Sequence, residues 1–163
     1  MIPERLRRDN MEVQQIMTKL DEMKVVYPDT QVKEAVRIML SANLTELPVI
    51  DKDGIFQGEL NMRSIICEAL PPYIVDGSLK NVNFSPGLFK FEDKLKDLML
   101  AEVRLVMKQN IRTITPSIST FGAVTLFSIS GDETVYIVEK DGRLVGAVSI
   151  SVIFKRLVVS LNS

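Results

Sequence analysis

Histidine is absent from the 163 residues. That removes imidazole acid–base catalysis, histidine-containing triads and most zinc sites. Cys67 is the single cysteine, so no internal disulfide can form. It sits in the helical pattern Ile65-Ile66-Cys67-Glu68-Ala69-Leu70 with no evident cation to lower its pKa, and reads as a small buried apolar side chain. Neither sign of charge is in excess: Lys+Arg number 20 and Asp+Glu 21. That balance offers no long-range attraction for nucleic acid or an anionic membrane. The start, Met1-Ile2-Pro3-Glu4-Arg5, lacks the apolar core of a signal peptide, and no apolar run is long enough to cross a bilayer, so a cytoplasmic location is expected. A glycine-rich phosphate loop is missing, as is any paired nucleophile and base. No catalytic residue and no metal ligand is therefore assigned.

What the chain does contain is a duplication. Pro28–Ile65 overlays Pro116–Ile153 without a gap at an offset of 88 residues. Identities fall at Pro28/Pro116, Ala35/Ala123, Val36/Val124, Asp53/Asp141, Gly54/Gly142, Gly58/Gly146 and Ile65/Ile153, among others. An internal repeat sets the architecture before any single residue does. Each copy of roughly 60 residues is marginal as an independent fold, so the copies are expected to share a core and to be related by a pseudo-twofold axis.

Within the first copy, Lys24–Tyr27 reads as a short strand closed by Pro28, with Asp29 and Thr30 as caps for the next helix. Val32, Ala35, Val36 and Met39 form one apolar helix face. Leu47–Ile50 is a second strand, Asp51–Gly54 a hairpin turn and Ile55–Leu60 the return strand. Ser64–Leu70 is a helix stopped by Pro71-Pro72. The second copy repeats the order, β-α-β-β-α. Flanking helices are expected at Val13-x-x-Ile16-Met17 and Val103-x-x-Val106-Met107, which match at an offset of 90. The domain reading is a tail over 1–10, whose Arg5, Arg7 and Arg8 are solvated, a first repeat over 11–70, a connector loop and helix over 71–102, and a second repeat over 103–163. Asp76-Gly77 and Ser85-Pro86-Gly87 mark the connector's loop; Phe91, Leu95 and Leu98 mark its helix.

Ile16-Met17-Thr18, Val26-x-Pro28-Asp29-Thr30, Glu34-Ala35, Leu47-Pro48-Val49-Ile50-Asp51-x-Asp53-Gly54 and Gly58, with their second-copy counterparts, closely resemble a CBS domain. Two in tandem resemble a Bateman module over roughly residues 10–160. The resemblance implies an α/β (α+β) fold of two repeats packed sheet to sheet, and a regulatory module rather than an enzyme. It also implies a homodimer, and a ligand of the adenosine type (AMP, ADP, ATP, S-adenosylmethionine, sometimes NAD) in clefts between the copies. With no second domain in sight, output would pass through an effector protein.

The cleft such a family uses has three parts. A slot for the base is offered by Val25, Tyr27, Pro28, Thr45, Leu47 and Pro48 in copy one. Copy two offers Thr113, Thr115, Val135 and Tyr136, the last standing where the pattern has proline. Ordinary core is the competing reading, above all for Leu47 and Val135. The ribose anchor in nucleotide-binding members is an Asp; here its position holds Ser64 and Val152. For phosphate, Asn61 and Ser149 stand at the Ser/Thr position, Arg63 is placed to reach an anion, and Lys155 and Arg156 follow in the last helix. Asp132 and Glu133 would repel phosphate in copy two. Two functions stay open on the sequence: an adenosine-ligand sensor, with copy one the better site, or a ligand-free dimerisation and interaction module with degenerate sites.

Overall fold

A computed structural model describes residues 11–77 and 88–161. The tail over 1–10 and the Ser85-Pro86-Gly87 loop signal lie outside them. The fold is mixed α+β, in two compact units. One, here the terminal unit, comprises the described part of 1–23, then 53–56 and the second repeat from Arg112. The other, the central unit, comprises 24–52 and 57–111.

In the terminal unit a four-stranded sheet runs in the order β1 (Thr18–Lys19), β6 (Leu144–Ser149), β5 (Thr134–Val138), β4 (Thr113–Ile114). β1 and β5 are antiparallel to β6, and β4 is parallel to β5. The helices α5 (Thr120–Ser130) and α6 (Ile150–Leu161) accompany it. Ser119 caps α5, its hydroxyl accepting the Gly122 N–H at 3.1 Å, and Gly131 ends it in the left-handed region. Val13, Ile16, Ile114, Ala123, Val135, Ile137, Val148 and Ile153 form the core.

The central unit follows the same plan with shorter edges. β2 (Glu46–Ile50) pairs with β3 (Phe56–Asn61). The outer strands reduce to single bridges, Val26 to Val49 in parallel and Glu59 to Lys108 in antiparallel. Its helices are α1 (Val32–Ser41), α2 (Met62–Ala69), the single turn α3 (Pro72–Val75) and the connector helix α4 (Leu88–Leu100). α4 packs on α1 and α2, bringing Leu95, Leu98 and Met99 against a core that includes Val32, Ala35, Met39, Leu47, Val49 and Leu60. Met39, Leu47 and Leu60 are fully enclosed. Each such burial is worth about 1.5–3 kcal/mol.

Several local expectations are corrected. The strand expected over Lys24–Tyr27 is the single bridge at Val26. Gln31, not Asp29 or Thr30, precedes α1; the Thr30 hydroxyl accepts the Tyr27 N–H at 3.1 Å and closes the turn instead. α2 starts at Met62 because Asn61 caps it, and Pro72 opens α3, where a missing N–H costs nothing. The flanking helices are single 3-10 turns, Val13–Gln15 and Val103–Leu105.

Those two turns are near-duplicates. Val13 N–H donates to Ile118 O at 2.7 Å and Gln14 N–H to Pro116 O at 3.2 Å. Their counterparts are Val103 N–H to Thr30 O at 2.8 Å and Arg104 N–H to Pro28 O at 2.9 Å. So the turn that precedes one repeat in sequence docks on the Pro-x-x turn of the other. The strand segment behind each turn then crosses a glycine. A Cβ on Gly58 would lie 2.2 Å from Lys108 O, and one on Gly146 would lie 2.6 Å from Thr18 O. The repeated glycine is thus required by a backbone crossing.

Gly58→Ala should therefore destabilise the chain by roughly 2–4 kcal/mol, overpacking adding to a φ that L-residues avoid. Gly54→Ala, at a turn glycine with open space around its Cβ position, should cost about 1 kcal/mol for its φ alone. Urea denaturation of the two variants measures the difference.

Candidate functional site

In the central unit the first-copy candidates are assembled by backbone bonds. Val26 N–H donates to Pro48 O at 3.1 Å and Ile50 N–H to Val26 O at 3.0 Å, laying Val25–Tyr27 beside Leu47–Ile50. Met62 N–H donates to Thr45 O at 2.9 Å, fastening the start of β2 to the N-terminus of α2. There Asn61 Oδ1 accepts the Ser64 N–H at 2.7 Å, and Ser64 Oγ donates to Asn61 O at 2.8 Å. Asn61 Nδ2 donates to Glu59 Oε1 at 2.7 Å. Val25, Pro48, Thr45, Asn61 and Ser64 are thereby brought together.

Their availability differs. Tyr27, Thr45 and Arg63 are exposed, and Arg63 makes no ion pair among the described residues. Pro28 is half-buried, its carbonyl accepting the Arg104 N–H. Leu47 has no exposed surface; its side chain is core. Asn61 spends its amide on its own helix and on Glu59. The pattern Asn-x-x-Ser at a helix start carries that capping signal.

The terminal unit repeats the backbone and changes the chemistry. Ile150 N–H donates to Glu133 O at 3.0 Å, as Met62 does to Thr45. Ser149 Oγ accepts the Val152 N–H at 3.3 Å and shares a 2.8 Å hydrogen bond with Ser151. Thr113 pairs with Tyr136, and both Thr113 and Thr115 are exposed. Val135 is core, and Tyr136, in the place of Pro48, is buried with its ring centroid 5.0 Å from that of Phe56. At matching positions Thr45 has become Glu133, Arg63 Ser151, and Ser64 Val152.

A depression of about 470 Å³ in the terminal unit is lined by Gln14, Thr115, Pro116, Ser117 and the turn Glu139–Asp141 with Arg143. Of the candidates only Thr115 belongs to it. Asp141 accepts from the Arg143 backbone N–H at 3.1 Å and from its Nε at 2.7 Å. Those bonds hold the Asp141 carboxyl below the usual carboxylate range, the backbone N–H contributing most. Among the described residues no cluster of His, Cys, Asp and Glu is suited to a metal ion, and no helix is long and apolar enough to cross a membrane.

Two copies of one α+β unit, with matched backbone pairs at each helix start, define a tandem-repeat module. The model for the CBS domain matches residues 13–70 and 100–159, and the chain belongs to the CBS domain family as a tandem pair. A CBS domain-containing protein of Dictyostelium discoideum is 26% identical over 150 residues, covering 92% of this chain and 93% of its own length. A CBS domain-containing protein from Bacillus anthracis superposes with a TM-score of 0.73 at 18% identity, over 94% of this chain and 96% of that one. The protein CBSX2, solved in complex with AMP, superposes with a TM-score of 0.69 at 18% identity, over 94% and 99%.

Replacing Arg143 by Ala should raise the Asp141 carboxyl pKa but leave it below the ordinary value, because the backbone N–H remains. In the wild type the depressed value makes a stabilising contribution that is present above the unfolded-state carboxylate pKa. It is lost as pH falls through the folded-state value. NMR titration of the Asp141 carboxyl in both proteins reads the shift directly.

Proposed function

We propose that this CBS pair is a regulatory module that takes an adenine nucleotide in the first-copy site and signals through a partner protein. In this reading the chain works in the cytoplasm as a homodimer. The observation that carries it is Arg63: an exposed guanidinium, free of ion pairs among the described residues, at the second position of α2. An arginine there can meet a phosphate bidentately while the neighbouring backbone N–H and the helix dipole add to the attraction. The exposed Thr45 lies at the same helix start and offers a hydroxyl. The solved AMP complex of a structural relative supports the ligand class.

The sugar contact is the weak part. Ser64 can accept one hydrogen bond at Oγ where the family pattern has a carboxylate, and Asn61 is committed to its cap. The affinity should therefore rest on phosphate and base. The second copy has Glu133 where Thr45 stands and no cation at the Arg63 position, so it should discriminate against phosphate. The loss of the carboxylate in both copies favours the second reading, a module that works by protein contacts alone.

Calorimetry with AMP, ADP, ATP, S-adenosylmethionine and NADH at millimolar concentration tests the choice. Heat with a phosphate-bearing ligand is the expected result; none with any of the five overturns the sensor reading. Arg63→Ala should weaken AMP binding about tenfold, roughly 1.4 kcal/mol. Thr45→Glu should weaken it at least as much, while adenosine itself responds to neither change. In a thermal shift assay, ligand at about 100 times its Kd should add roughly 2.7 kcal/mol of stability.

A further inference from the structure

The way the chain leaves α2 is not dictated by the repeat. At the matching positions of copy two, Val158-Val159-Ser160-Leu161, α6 simply runs on as helix. In copy one those four positions are Leu70-Pro71-Pro72-Tyr73. One proline is enough to stop a helix, because it lacks the N–H and clashes with the preceding turn. The second proline and the tyrosine need another explanation. Leu70 has φ −86° and ψ 147°, and Pro71 has φ −57° and ψ 142°. Both lie close to polyproline II geometry, φ about −75° and ψ about +145°. The single turn α3 follows, with the Ile74 N–H donating to Pro71 O and the Asp76 N–H to Pro72 O, each at 3.0 Å. Pro72 is exposed, and Tyr73 and Val75 are 43% and 50% exposed. None of the three joins the core of the central unit. The Tyr73 hydroxyl has no hydrogen-bond partner among the described residues.

We propose that Leu70-Pro71-Pro72-Tyr73 is a docking segment for a partner protein whose shallow, aromatic-lined groove reads a polyproline II step followed by tyrosine. The proposal rests on the reading that output passes through a partner, and it locates that contact. The conformation selects the occupant. A segment already held in the polyproline II shape has little backbone freedom left to lose on binding. Proline presents a rigid apolar ring and no donor, which suits flat aromatic side chains better than a polar cleft. Tyrosine adds a large contact area at low entropic cost, and a hydroxyl for a polar rim to satisfy. No proline stands three positions from Pro71 or Pro72, so a groove built for P-x-x-P finds no second proline here, and the tyrosine must be the second anchor. The segment follows directly on α2, whose other end carries Arg63. Proposed ligand and proposed partner therefore meet the two ends of one eight-residue helix.

An NMR titration of the isotope-labelled full chain tests this, with a WW domain selective for proline–tyrosine peptides as probe and a P-x-x-P-reading SH3 domain as comparison. The WW domain should give saturable shifts centred on Leu70–Asp76, and the SH3 domain none. Tyr73→Ala and Pro72→Ala should each weaken WW binding at least about tenfold. Leu40→Ala, which removes an exposed apolar side chain of α1 in the same unit, should leave it unchanged. Circular dichroism confirms folding of each variant. Tyr73→Phe, which keeps the ring and removes the hydroxyl, should weaken binding severalfold and serves if the alanine variants do not fold. No WW binding, shifts centred elsewhere, equal binding of the SH3 domain, or an affinity unmoved by the Tyr73 substitutions overturns the proposal. Each of these results leaves the nucleotide reading to be decided by calorimetry alone.

Discussion

The backbone crossing at the repeated glycine is the constraint on which the rest of the structure depends. At Gly58 and at Gly146 a neighbouring chain segment passes so close that its carbonyl occupies the space of a side chain. On one side of each crossing lies the strand that leads to the helix cap, Asn61 or Ser149. On the other lies the segment that follows a 3-10 turn, Lys108 or Thr18. The crossing therefore fixes the edge of the sheet, the docking of the turn and the start of the helix at one stroke. Since Val13 docks at Ile118 and Val103 at Thr30, each repeat is completed by a segment that sequence order assigns to the other. The terminal unit exists only when residues 11–23 return to the second repeat across the 88 residues of 24–111. Closing a loop of that length costs about 4 kcal/mol beyond a constant term. Burying Val13 and Ile16, at about 1.5–3 kcal/mol each, is of the right size to offset it.

Much of this was legible in the chain, for identifiable reasons. The element order β-α-β-β-α and the main helices follow from short apolar runs and from the Val32, Ala35, Met39 stripe, patterns that report burial directly. The Asp-Gly turns declare themselves because few residues tolerate the positive φ found at Gly54 and Gly142. The repeat made Gly58 and Gly146 conspicuous, but not why they are glycines. That reason is a contact with Lys108 or Thr18, distant in sequence, and one sequence carries no trace of it. The exchange of the flanking turns was hidden for the same cause: Val13 and Val103 show the same local pattern whichever repeat they dock on. The 3-10 turns looked like helices because Val-x-x-Ile-Met gives one turn of helical spacing and no second turn to contradict it.

The spacing of the first-copy candidates was legible in the chain; the state of their polar groups was not. Backbone and capping bonds hold Thr45, Asn61 and Ser64 at one helix start and lay Val26 beside Pro48. What sequence could not show is which polar groups are already spent. Asn61 reads as a ligand contact in a list of residues and as a helix cap in three dimensions. Leu47 and Val135 have the character of a slot wall and the burial of core.

A duplicated fold gives evolution two copies of each local surface, and here they have moved apart in opposite directions. The backbone bonds at the helix starts are kept in both, so the scaffold has been held constant while the side chains on it changed. Copy one has Thr45 and Arg63 at its helix start and Lys33 and Arg37 on the outer row of α1. Copy two carries Glu133 and Ser151 at its helix start, with Phe121 and Ile129 on the outer row of α5. The two repeats thus share a backbone plan and differ in the chemistry of their helix starts and outer helix faces.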